Sequence, residues 1–129
     1  MNAEHLHLIS EELRQQAHII SNGEVLWPKS RVVDVLHEVA GADRLILGFD
    51  ICAVTMRDGW RPSVWGSSSY DLELDLKRLP WHVCVGASLH LALGDVERTE
   101  ELSGLALPHD DVWYTIESVD RQEWAELRE

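Results

Sequence analysis

At 129 residues and 45% apolar content, the chain is the size of one domain, able to bury roughly two thirds of its unfolded surface unaided. Twenty-three acidic residues against eleven basic ones give a formal net charge of −12, which argues against direct nucleic-acid binding and against docking on an anionic membrane. No run approaches about 18 uninterrupted apolar residues. The start Met1-Asn2-Ala3-Glu4-His5 lacks a basic region followed by an apolar one, so a cytoplasmic protein is expected.

Leu6, Ile9, Leu13, Ala17 and Ile20 recur at three- and four-residue steps, which predicts a helix from about Glu4 to Ser21 with Asn22-Gly23 as its stop. Trp27-Pro28 reads as extended, because the proline ring disfavours helix at the residue before it. A second helix follows from near Lys29 to Ala40, with Val32, Val35, Leu36 and Val39 as its buried face and Gly41 as its exit. Leu45 to Met56 is too uniformly apolar for a surface position and predicts a central strand. Asp58-Gly59 supplies a tight hairpin, and Trp60 to Trp65 the return strand, with Pro62 at an edge or near the strand start. Gly66-Ser67-Ser68-Ser69 reads as a small flexible turn.

Tyr70 to Leu76 alternates strictly. On an extended strand Asp71, Glu73 and Asp75 share one face, roughly 7 Å apart, while Leu72, Leu74 and Leu76 share the other. A row of three carboxylates repels itself and needs solvent or a cationic partner. Trp81 to Val96 carries both periods. Val83, Val85, Ala87, Leu89, Leu91 and Leu93 alternate, yet Val85, Leu89, Ala92, Leu93 and Val96 form a helical stripe, which the Ala, Leu and Glu content of the later half favours. Asp111 to Ser118 is the last strand, with Trp113, Thr115 and Glu117 on one face and Val112, Tyr114 and Ile116 on the other. Asp120 with Glu123 caps a short terminal helix. The whole predicts a single α+β domain over residues 1–129: a mainly antiparallel sheet, two N-terminal helices packed on one face and a short C-terminal helix.

Few residues suggest catalysis. Cys52 and Cys84 lie among apolar neighbours and read as buried free thiols. Seven histidines are scattered without zinc spacing, so neither a metal nor a cofactor is expected, and His90 reads as a packed histidine. Gly48 inside an apolar strand marks a bulge or a close backbone approach. Asp50, two residues on, must be paired, hydrogen-bonded or neutralised. A buried structural tie from the strand to a neighbouring loop is expected of it, the alternative being a catalytic acid beside a histidine in a small hydrolase. The remaining cluster, Trp60, Trp65, Tyr70, Asp71, Glu73 and Asp75, combines aromatic anchors with carboxylates, a composition suited to a basic protein partner.

The order helix, Trp27-Pro28, helix, strand, Asp-Gly hairpin and Ser69-Tyr70-Asp71 resembles the immunity proteins of bacterial polymorphic toxin systems, in particular the family numbered forty. Its central strand commonly runs Ile-Leu-Gly-Gly-Asp-Val; here residues 46–51 read Ile-Leu-Gly-Phe-Asp-Ile, with Phe49 in place of the second glycine. The likeness covers about residues 20–75. It implies a small cytoplasmic protein, not an enzyme, that binds a cognate toxin and blocks it. The acidic balance fits that role independently, because nuclease toxins carry basic surfaces.

Overall fold

Alternation along two long strands sets the architecture. The structure is a computed structural model that describes residues 1–55, 61–69, 79–106 and 112–127. Strands β1 (His18–Ile19), β2 (Val25–Pro28), β3 (Leu45–Thr55), β4 (Arg61–Ser69) and β5 (Val112–Val119) form one sheet in the order β1-β2-β5-β3-β4. Every pairing in it is antiparallel. In the register of β3 with β5, Phe49 lies opposite Ile116, Ile51 opposite Tyr114 and Ala53 opposite Val112. Phe49, Ile51, Val112, Tyr114 and Ile116 join one buried apolar cluster with Val32, Val35, Leu36 and Val39 of helix α2 (Val32–Gly41) and Ala92 and Val96 of helix α3 (Trp81–Ala106). The sheet therefore rests one face on two helices, as an α+β domain requires.

The ambiguous segment is helical. Val85, Ser88, Ala92 and Val96 are buried at helical steps, whereas Val83 and Leu91, which strand alternation would bury with Val85, stay 39% and 42% exposed. His90 is exposed too, so the packed position expected for it is not observed. Ser88, fully buried, ties α3 to the sheet. Its hydroxyl accepts a hydrogen bond from the Ile46 N–H at 3.0 Å and donates to the Val85 carbonyl at 2.8 Å. That contact lies beside the register shift between Ile46 and Gly48, so the bulge expected at Gly48 is present.

Two expectations need correction. The continuous helix from Glu4 to Ser21 is instead a 3₁₀ helix (Ala3–Leu8), a single α-turn, α1 (Glu11–Arg14), and then β1. The break falls at Ser10, whose backbone N–H and hydroxyl both donate to the Glu38 carboxylate on α2, at 2.7 and 3.0 Å. Asn22-Gly23 does not stop a helix but turns a hairpin: His18 and Ile19 pair with Leu26 and Val25, and Gly23 takes φ 86°. The apolar stripe survives the change, since Ile9 and Leu13 are buried in the core and Leu6 and Ala17 pack against it. Second, Gly66 to Ser69 form no turn; they extend β4 alongside Ile51 to Gly48. The register shifts between Ile51 and Cys52, so Trp65 is the extra residue of a bulge. The central position of β3 between β4 and β5 and the edge position of Pro62 are as expected.

The capping pair at the last helix, α4 (Arg121–Leu127), is present. Asp120 accepts from the Glu123 N–H at 2.7 Å, and Glu123 accepts from the Asp120 N–H at 3.1 Å. Glu123 also receives Arg44, a buried guanidinium that donates to the Ser118 hydroxyl and carbonyl at 3.0 and 3.1 Å. Among the described residues no helix is long and apolar enough to cross a membrane.

Ser88→Ala is expected to cost about 1–3 kcal/mol, because it strands the buried Ile46 N–H without a partner. Urea unfolding measures this directly; an unchanged midpoint would show that α3 is not clamped to β3 through this hydroxyl.

Candidate functional site

Where one face of β3 and β5 is apolar, the other is not. The alternate residues pair as Asp50 with Thr115, Gly48 with Glu117 and Cys52 with Trp113, and none of these six belongs to the buried apolar clusters. Alternation along the β5 sequence divides its residues in the same way. The register adds that Asp50 of one strand stands across from Thr115 of the other.

Over this face opens a cleft of about 230 Å³, lined by Ile20, Asn22, Glu24, Leu26, Asp50, Cys52 and Thr115. Hairpin β1–β2 supplies four of these walls, since Asn22-Gly23 turns the chain and sets Glu24 next to the sheet. The Asn22 side-chain oxygen accepts from the Glu24 N–H at 2.9 Å and holds that turn. The segment Met1–Ala3 runs beside it: the Val25 N–H donates to the Met1 carbonyl and the Ala3 N–H to the Gly23 carbonyl, both at 2.8 Å.

A short relay crosses the cleft wall. The Met1 ammonium donates to the Thr115 hydroxyl at 2.8 Å, and that hydroxyl donates to Glu24 Oε2 at 3.0 Å. Burial lowers the affinity of the Met1 amine for its proton, while Glu24, Glu117 and Asp50 act in the opposite sense. Three carboxylates thus share one ammonium. Asp50 is half-buried and makes no hydrogen bond or ion pair among the described residues, so the structural tie expected of it is not observed there. Cys52 is 5% exposed, and burial, then Asp50, then Glu24, push its thiol up to about 11. Cys52 and Cys84 are both buried and form no disulfide. The His18 ring meets Trp113 edge-on at 6.5 Å, and no histidine is among the described residues lining the cleft.

A second hollow, about 340 Å³, lies between Ser10, Glu12, Leu13, Arg31, Asp34, His37 and Glu38. Its charges are largely satisfied within the chain, since Glu38 holds Ser10 and Arg31 meets both Asp34 and Gln16. In the sheet-face cleft, by contrast, Asp50 and one oxygen of Glu24 accept no hydrogen bond from the described residues. Of the sequence-derived site residues, Asp50 lines this cleft and Trp65 lies at the β4 bulge. Trp60, Tyr70, Asp71, Glu73 and Asp75 fall outside the described residues. Glu24 and Thr115 were not legible as site residues, because only hairpin pairing and strand register bring them together.

No protein-family model matches the chain, and neither the curated proteins nor the solved structures contain a match to it.

In native protein the Cys52 thiolate is expected to be scarce, so iodoacetamide should label Cys52 far more slowly than in urea and still be accelerating at about pH 10. The raised thiol value also sets a sign. Its contribution to stability is complete below the unfolded thiol pKa, about 8.5, and declines as pH rises toward the folded value. Equal labelling rates in native and unfolded protein, followed by peptide mass spectrometry, would contradict the buried thiol.

Proposed function

We propose that this protein is a non-enzymatic inhibitor of immunity type, which binds a basic bacterial toxin and neutralises it in the cytoplasm of the producing cell. One observation carries the reading: the face of β3 and β5 turned away from the α2 core sets Asp50 with Glu24 around an open cleft and carries Glu117 as well, in a chain of net charge −12. Carboxylates left short of cations attract a partner that brings its own, and opposite fields speed the encounter. The sequence adds Asp71, Glu73 and Asp75 directly after the end of β4, with Trp60, Trp65 and Tyr70 as aromatic anchors. The motif likeness over residues 46–51 points the same way.

The natural candidate partner is the product of the gene beside this one, because a toxin and its inhibitor need to be inherited together. That product should bind with an association rate that falls steeply as salt is raised. Reversing Asp71, Glu73 and Asp75 together to Lys should slow association about tenfold or more and flatten the salt dependence. Stopped-flow mixing reads both. Association indifferent to salt and to the triple reversal would remove the acidic surface from the mechanism, and a neighbouring product that does not bind would remove the immunity reading.

A further inference from the structure

We propose that the sheet-face cleft is the receptor for a single arginine side chain of the basic partner. The proposal rests on the immunity-type reading and specifies where and through which group that partner is anchored. Three features of the cleft select the group.

The first is charge. Glu24 and Asp50 line the cleft, and Glu117 joins them in acting on the Met1 ammonium, so three carboxylates face one internal cation. That cation is already engaged by Thr115, whose hydroxyl occupies one oxygen of Glu24; the other oxygen of Glu24 and both of Asp50 accept no hydrogen bond from the described residues. The second is an enclosed polar atom without a partner. Cys52, 5% exposed as a residue, lines the cleft, and its thiol makes no hydrogen bond among the described residues. The third is shape and lining. Ile20 and Leu26, from the same β1–β2 hairpin that carries Glu24, offer apolar walls beside the carboxylates.

An arginine matches the charge and the walls, and its spare N–H donors suit the Cys52 sulfur, a weak acceptor. Its aliphatic stem suits the Ile20 and Leu26 walls, and its planar, permanently charged fork of five donors can serve two carboxylates at once. A lysine ammonium is a compact, strongly hydrated point charge and gains less from a partly enclosed site.

The probe is N-acetyl-arginine-methylamide, titrated into the intact protein with backbone amide shifts recorded. Saturable shifts are expected at Asp50, Cys52 and Thr115, and the uncharged isostere N-acetyl-citrulline-methylamide should produce none. Glu24→Gln combined with Asp50→Asn should weaken binding at least about tenfold, the amide spectrum itself reporting that the variant is folded. Should that variant fail to fold, the comparison of arginine with citrulline on the native protein still decides. Shifts spread over the surface without saturation, equal shifts with citrulline, or equal affinity for N-acetyl-lysine-methylamide would each overturn the assignment. If the double variant still bound the toxin with full affinity and an undiminished salt dependence, the cleft would be wrong and the immunity reading would stand.

Discussion

The antiparallel register of β3 against β5 is the constraint on which the rest depends. Because strand side chains alternate, fixing Phe49 opposite Ile116 and Ile51 opposite Tyr114 also fixes Asp50 opposite Thr115 and Cys52 opposite Trp113. The first set is covered by α2 and α3 and forms the core; the second is kept off the helices and gathers polar groups. A slip of one residue would exchange the two faces, burying Asp50 and exposing Phe49. The same register that makes the fold stable makes the cleft. The bulges at Leu47 and Trp65 let β3 bend between two neighbours without disturbing that division.

Much of this was legible in the chain. Val32, Val35, Leu36 and Val39 specified the buried face of α2 by spacing alone, and the two faces of β5 followed from its alternation. Asp120 and Glu123 specified a cap by residue type, because both partners lie within one turn. Local chemistry can be read locally. The N-terminal segment was misread for the complementary reason. Its apolar spacing was correct, but Glu38, distant in sequence, captures Ser10 and ends the helix, and Asn-Gly served a hairpin that helical periodicity had masked. Arg44 and Glu24 gave no signal at all, since an isolated charged residue reveals its role only when the fold supplies Ser118 and Glu123, or Thr115.

The cleft, as the proposed binding site, would be built from few residues at little structural cost. Thr115 satisfies the buried ammonium and one carboxylate oxygen together, so the wall is held without neutralising the remaining negative charge. Asp50 then stands half-exposed beside an enclosed thiol, available to a cation from outside. Long-range attraction from the net charge would bring a basic partner near, and the cleft would select its orientation. Attraction and fit are different jobs, carried by different residues.

Neighbouring residues on β3 allow the division of labour to be measured in one experiment, urea unfolding of Ile51→Ala beside Asp50→Asn. Ile51 is buried in the core, and its truncation is expected to cost about 2–5 kcal/mol. The Asp50 side chain makes no hydrogen bond among the described residues, so Asp50→Asn should leave stability within about 1 kcal/mol of the parent. A loss for Asp50→Asn as large as that for Ile51→Ala would make Asp50 part of the scaffold and contradict the account of a sheet with one structural and one binding face.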